Sequence, residues 1–180
     1  MEQAQAYLNS ADMLNFLVSS RFFLILLVIV LSSLKHSIYR NFWFFVFINL
    51  PGTVLHECAH FLVGLILNAR PVDFSLLPRK KDGYYNLGRV SFSNLHFYNA
   101  FPTGMAPFLL LIFAYFFDKH FFDFVQLNIV SYLFYIFLLT LFIEHSMPSQ
   151  ADFRVAFGSV AGILFYSLLI GAVILLAFLR

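Results

Sequence analysis

Long apolar stretches alternate along the chain with short polar connections. A helix needs about 20 apolar residues to cross the hydrocarbon layer of a bilayer. Five stretches reach or approach that length, and each of them predicts a transmembrane helix. They cover residues 14–34, 42–69, 101–117, 124–143 and 155–179. The pattern therefore predicts an all-α membrane protein with about five transmembrane helices.

The connection between the second and third stretches has a different periodicity. Apolar and polar side chains alternate over residues 72–76 and again over residues 90–93, and a turn-rich basic segment at 78–83 separates the two runs. Period-two alternation around such a turn predicts a β-hairpin. We therefore expect a single multi-pass domain over residues 1–180, with a β-hairpin inserted at about 70–98.

Composition supports a membrane location. Hydrophobic residues make up 61% of the 180 residues and charged residues only 11%. The 26 phenylalanines are too many for a core of this size, so lipid is expected to cover many of them. A net charge of +2 gives no reason to expect a nucleic-acid partner, and the single cysteine excludes an internal disulfide and a Cys-rich metal site. The oligomeric state is left open.

The distribution of basic residues predicts the orientation in the membrane. Five of the eleven Lys and Arg residues lie in the 70–98 connection. Basic residues near the ends of spans tend to stay in the cytoplasm. We therefore predict a multi-pass protein of the cell (inner) membrane with this connection and the N-terminus in the cytoplasm, although Lys35 and Arg40 favour the opposite orientation. Two spans separate this connection from the 144–154 connection, so both are expected to open on the same side.

The second apolar stretch contains the segment TVLHECAHFLVG, residues 53–64. On a helix, His56 and His60 share one face and Glu57 flanks it. This His-Glu-x-x-His arrangement predicts that the two imidazoles hold Zn²⁺ and that the glutamate is the general base acting on a zinc-bound water. Ionisable residues are costly inside a membrane segment, which favours a functional role. The alternative is a buried His–Glu–His hydrogen-bond cluster that only joins helices.

A catalytic zinc site needs a third protein ligand. The connection after the fourth stretch reads EHSMPSQADFR, residues 144–154, and it offers several candidates. Asp152 lies where the chain re-enters the bilayer, and we predict that it is the ligand. The alternative is a helix-start aspartate paired with Arg154. Glu144 and His145 are rival ligands.

Together these two segments resemble the site-2 protease family of intramembrane zinc metalloproteases. The resemblance rests on His56-Glu57-x-x-His60 in an early span and on Pro148-x-x-x-Asp152 at a late span boundary. It covers most of the chain, and the small hairpin between the motifs also fits it. The resemblance implies that Asp152 is the third zinc ligand.

The chain departs from the family pattern at three places. His145 stands where the family has an asparagine, three residues before Pro148, and Phe153 replaces the glycine that follows the aspartate. The family's Gly-Pro-x-x-Asn motif is matched only partly, by Gly104-Met-Ala-Pro107. The family asparagine is thought to hold the substrate or its oxyanion. A histidine can also donate a hydrogen bond to an oxyanion, so we assign this catalytic role to His145.

The resemblance implies a zinc endopeptidase that hydrolyses a peptide bond of a membrane-embedded protein substrate. We expect an edge of the hairpin, at residues 71–76 or 88–93, to receive the unwound substrate by strand addition. One alternative is a catalytically inactive membrane zinc-binding protein that acts as a sensor or adaptor, which the replacement of the family asparagine by His145 favours. Another is a small transporter, but that would spread polar residues along several spans, whereas here they collect at one end of two.

Overall fold

The computed structural model describes residues 11–37, 42–76, 79–81, 84–86 and 88–179. Over these residues the chain is mostly helical, with a small antiparallel hairpin. The helices are α1 (Ala11–Ser19), α2 (Arg21–Ser37), α3 (Phe42–Ile66), α4 (Phe97–Gly104), α5 (Leu109–Phe124), α6 (Ile129–His145), α7 (Gln150–Phe157) and α8 (Val160–Phe178), with a 3₁₀ turn at Ala106–Phe108. The strands are β1 (Pro71–Ser75), β2 (Arg79–Lys81), β3 (Tyr84–Asn86) and β4 (Arg89–Phe92).

Among the described residues, two helices are long and apolar enough to cross a membrane, namely Val46–Ile66 within α3 and the whole of α8. Two further helix pairs pass the same criterion only together, and each is bent by 48° at a short break. These pairs are α4 with the segment Ala106–Phe124, and α6 with α7. The described part of the chain therefore contains two to four candidate spans, where the sequence predicted about five.

Short helix breaks explain why the first and last predicted spans differ in their boundaries from the helices of the structure. The first predicted stretch is divided at Ser20, and the continuous apolar part of α2, Phe22–Leu34, is shorter than a span. The last predicted stretch begins at Val160 instead of residue 155. Ser159 caps α8 there by accepting a hydrogen bond from the backbone N–H of Gly162 at 3.2 Å.

The chain forms two compact units. The first comprises Met1–Asn49 and Leu111–Glu144, and an apolar cluster forms its core. The buried members of that cluster are Leu24, Val28, Ala114, Tyr132, Tyr135, Ile136 and Leu139. The second comprises Leu50–Leu110 and His145–Arg180, and it contains every residue that the sequence analysis assigned to the site. The prediction of a single domain stays a prediction.

In the second unit the predicted hairpin follows α3 and is confirmed. The backbone N–H of Ala69 bonds the carbonyl of Gly64 at 2.7 Å, which ends the helix, and Asn68 and Arg70 then adopt positive φ angles of 57° and 54°. Strand β1 pairs antiparallel with β4, with an irregularity near Pro71, and β2 pairs with β3. The predicted basic turn at 78–83 lies partly outside the described residues, and the N-terminal segment before Ala11 lies wholly outside them.

The hairpin lies along one face of α3. Glu57, Phe61 and Gly64 are spaced i, i+4 and i+7, so they share that face. The rings of Phe61 and Phe74 meet edge to face with centroids 5.7 Å apart, and the ring of Phe92 fills the space beside Gly64. The hairpin therefore covers the face of α3 that carries Glu57, and the adjacent face is left for the two histidines.

Helix α4 packs closely against α7 and α8. A methyl group at Gly104 would lie 2.6 Å from the carbonyl oxygen of Asp152 and 2.8 Å from Cβ of Ala156. A methyl group at Gly162 would likewise lie 2.5 Å from the carbonyl oxygen of Phe97. Contacts this close with backbone atoms require glycine at both positions. They fix the start of α7, and with it Asp152, against the end of α4.

Candidate metal centre and catalytic base

Two imidazoles from α3 form one side of the site. His56 and His60 lie one helical turn apart, and their Nε2 atoms are 3.2 Å from each other. The ring centroids are 4.8 Å apart. His60 is 4% exposed, so this pair is largely removed from water.

Backbone carbonyls fix the orientation of both rings. Nδ1 of His56 donates to the carbonyl of His145 at 2.8 Å, and Nδ1 of His60 donates to the carbonyl of Thr103 at 2.7 Å. A carbonyl oxygen only accepts hydrogen bonds, so each Nδ1 must carry the proton. In the neutral rings both Nε2 atoms then present lone pairs towards a common point. Such outer-shell hydrogen bonds are the usual means by which a protein orients metal-binding histidines.

Asp152 approaches both rings from α7. Its Oδ1 lies 3.2 Å from Nε2 of His60, and its Oδ2 lies 3.4 Å from Nε2 of His56. Ser149 caps α7 and holds this carboxylate, because the Ser149 N–H donates to Oδ2 at 2.7 Å and the Ser149 hydroxyl accepts from the Asp152 N–H at 3.3 Å. The aspartate therefore has the helix-start position that was considered as an alternative, and its carboxylate oxygens lie against Nε2 of the two histidines.

The donor set fits a metal ion. Two imidazole nitrogens and a carboxylate converge at 3.2–3.4 Å, and either a proton on one ring or a metal cation among them would relieve the repulsion between their lone pairs. In a tetrahedral zinc site with bonds of about 2.0–2.1 Å, neighbouring ligand atoms are about 3.3 Å apart. The three side chains could therefore hold a divalent ion. The same ligands also suit other transition metals, so the geometry alone does not select zinc.

The rival ligands lie outside this group. Within the described residues, the set of side chains that brings its ligand atoms within 4.8 Å of one another consists of His56, His60 and Asp152. His145 contributes its backbone carbonyl, and its ring lies against Gly52. The role of Asp152 as a ligand and that of His145 as an oxyanion contact stay predictions.

Glu57 is buried beside the metal group. It is 7% exposed, and it lies directly after His56 and three residues before His60 on α3. The main chain of the hairpin covers another side, because a methyl group at Gly88 would lie only 2.6 Å from Oε1. The hairpin is thus in direct contact with the predicted general base.

Sequence reasoning missed several residues that build this site. The Ser149-x-x-Asp152 spacing is a capping-box signature, so the cap of α7 was visible in the sequence. The carbonyl of Thr103 and the contact of Gly88 with Glu57 were not, because both depend on residues that are distant in the chain. The contact of the His145 ring with Gly52 was not visible either, for the same reason.

No family model, curated protein or solved structure matches this chain. The fold and the site together define a mostly helical protein with two to four candidate membrane spans and a His–His–Asp group that could bind a metal. The likeness to site-2 proteases rests on the two sequence motifs.

Proposed function

We propose that this protein is an intramembrane zinc metalloendopeptidase of the site-2 protease type. The observation that carries the proposal is the convergence of Asp152 with His56 and His60. The two histidines and Glu57 lie on α3, a helix apolar enough to span a membrane. Ionisable groups are costly in such a helix unless they are paired or functional. A metal-binding set with an adjacent carboxylate is also what zinc-dependent hydrolysis of a peptide bond uses.

The membrane location is part of the proposal. Helix α8 is apolar over its whole length, and large apolar side chains are exposed on several of its sides. Lipid is the partner that would cover them. In this proposal the protein is a multi-pass protein of the cell (inner) membrane with about five spans and a cytoplasmic N-terminus. The exposed apolar residues of α8 include Leu168, Ile170, Val173, Leu176 and Phe178.

Each residue of the site has a distinct role in this proposal. His56, His60 and Asp152 would hold the zinc ion, and the carbonyls behind the two rings keep Nε2 directed at it. A zinc ion held by these residues would polarise the scissile carbonyl and lower the pKa of water to about 7. Glu57 accepts a proton from the attacking water and delivers it to the leaving amine. The ring of His145 donates a hydrogen bond to the developing oxyanion.

The hairpin is the proposed substrate-docking element. Peptide bonds in a helix are shielded and their carbonyls are already bonded, so the substrate must be unwound before attack. A free strand edge accepts such an extended segment through main-chain hydrogen bonds. Of the two candidate edges, the segment 88–93 is favoured over 71–76, because Gly88 touches Glu57. A peptide that pairs with this edge would have one end next to the proposed general base, Glu57.

Proline substitutions in β4 test this docking role. Successive N–H groups in a strand point to opposite sides, so one of Val90 and Ser91 faces β1 and the other faces outward. Proline removes the N–H. We expect the variant that lacks the outward donor, Val90→Pro or Ser91→Pro, to stop cleaving a helical single-span peptide while it still binds zinc. Metal content and cleavage rate in detergent are the measurements. Cleavage at the wild-type rate by both variants would exclude docking on β4.

The experiment for the proposed function is reconstitution with a single-span substrate. The purified chain is expected to contain zinc and to cleave, to lose activity when a chelator removes the metal, and to regain activity when zinc is returned. The sample treated with chelator serves as the negative control.

The alternative, a catalytically inactive zinc-binding sensor or adaptor, is favoured by His145 in place of the family asparagine. Bound zinc without cleavage of any peptide in a panel would support that alternative.

A further inference from the structure

We propose that Gly52 is a positioning residue of the metal site. Gly52 leaves space for the ring of His145. This position of the ring places the carbonyl of His145 where it accepts the hydrogen bond from His56, and it aligns the segment that carries Asp152. The inference deepens the proposed metal site and rests on it.

Gly52 lies on the same face of α3 as the two histidines. Gly52, His56 and His60 are spaced i, i+4 and i+8, so they form one row along the helix. The ring of His145 occupies the space where a side chain at position 52 would begin. A methyl group at Gly52 would lie 2.6 Å from Cγ of this ring and closer still to Nδ1 and Cε1. Real Cβ atoms essentially never approach another atom within 3.0 Å, so a methyl group and the ring cannot both occupy this space.

The contact at Gly52 involves the ring of His145 close to its point of attachment. Cγ is bonded directly to Cβ, so a clash there is relieved only by a change of χ1 or by a shift of the His145 backbone, whereas the far end of a long side chain can move by a small rotation. That backbone bears the carbonyl that accepts the hydrogen bond from Nδ1 of His56 at 2.8 Å. In this proposal the backbone of His145 shifts when the ring is displaced from Gly52, and the shift moves the carbonyl that orients a metal ligand.

The same displacement reaches the third ligand. His145 ends α6, and the chain then runs through the buried residues Ser146 and Pro148 to Asp152 in the first turn of α7. This segment touches the metal group at both ends, through the His145 carbonyl and through the Asp152 carboxylate. The contact of the His145 ring with Gly52 fixes the position of this segment along α3. A side chain at position 52 would then disturb the orientation of His56 and the approach of Asp152 together.

A double-mutant cycle tests the inference through the zinc dissociation constant, measured by competition with a chelator in detergent. We expect Gly52→Ala to weaken zinc binding about 10- to 100-fold, the usual loss when an outer-shell partner is removed. His145→Ala keeps the carbonyl and frees the space, so binding should weaken only a few-fold. Adding Gly52→Ala to His145→Ala should then cause no further loss, which makes the two substitutions strongly non-additive.

Gly171→Ala is the matched control. Gly171 lies within α8, and apart from its chain neighbours and the nearby backbone of its own helix nothing lies within 4 Å of the place where its Cβ would be. Alanine is a better helix former than glycine, so propensity alone predicts no harm from either substitution. Zinc binding should be unchanged in Gly171→Ala. If Gly52→Ala weakens binding equally with and without the His145 ring, or does not weaken it at all, the inference is wrong.

A measurement on metal-free protein separates this inference from the proposed function. Nitrogen NMR of histidine-labelled protein reports which ring nitrogen of His56 carries the proton. We expect the proton on Nδ1 in the wild type, a loss of that state in Gly52→Ala, and its return in the double variant. A wild type that binds no zinc would refute the proposed function, but the NMR comparison would still decide the role of Gly52. An unchanged His56 ring in Gly52→Ala would overturn the inference.

Discussion

Replacing Glu57 with glutamine is expected to abolish peptide hydrolysis and to leave the metal bound. Glutamine has nearly the same shape, so it fits the buried position between α3 and the main chain at Gly88. An amide cannot accept and return the proton that the mechanism requires. General acid–base catalysis contributes about 10²–10⁴-fold in rate, and a loss of that size is expected here. The measurements are the cleavage rate of a single-span peptide and the zinc content of the same sample.

Glu144→Gln provides the matched control for this prediction. Glu144 is not a member of the group formed by His56, His60 and Asp152. The same chemical change at this position should therefore leave both zinc content and cleavage in place. Wild-type cleavage by the Glu57→Gln variant would show that the base lies elsewhere. Loss of zinc together with activity would assign Glu57 a structural part in the metal site.

Replacing Asp152 with alanine is expected to remove the metal and, with it, all activity. The substitution leaves two imidazoles and no negative ligand to balance the charge of the ion. The loss in zinc affinity should exceed the roughly 10- to 100-fold that follows from losing an outer-shell partner, because here the ligand itself is removed. Competition with a chelator gives the dissociation constant, and metal analysis of the purified variant gives the content.

Three further variants separate the ligand role of Asp152 from its role in the helix cap. Asp152→Asn retains an oxygen that can accept from the Ser149 N–H, so it should preserve α7 yet bind zinc poorly because it lacks the charge. Asp123→Ala removes an exposed carboxylate, paired with His120 at 2.9 Å, and should change nothing at the site. His145→Ala should retain zinc. Wild-type zinc binding by Asp152→Ala would instead transfer the third ligand to another residue.

Local spacing in the sequence was sufficient for several elements of the fold. The alternation at both ends of the 70–98 connection predicted the hairpin, because side chains of a strand alternate between two faces whatever else surrounds it. The lengths of the apolar stretches predicted α3 and α8 as candidate spans, and the structure confirms both as long and apolar enough. The location of the hairpin over Glu57 was not predicted, because it depends on Phe74 and Phe92 meeting Phe61 and Gly64.

The number and limits of the spans were predicted less well. Hydrophobicity summed over a long window does not detect a break of one or two residues. Such breaks occur at Ser20 and at Met105, and another lies between Phe157 and Val160. At each of them the apolar pattern continues while the helix ends or bends. Capping and turn chemistry, such as the bond from the Gly162 N–H to Ser159, decides these boundaries.

The sequence by itself determined the paired imidazoles and the adjacent carboxylate, because the geometry of a helix places His56 and His60 on one face wherever that helix lies. Only the tertiary structure decided which acidic or imidazole group of the 144–154 segment meets them, and which carbonyls orient the rings. Those contacts join residues 89 and 43 positions apart in the chain. No local periodicity fixes such distances, because they are set by the packing of α4 and α7 against α3 and by the absence of side chains at Gly52 and Gly104.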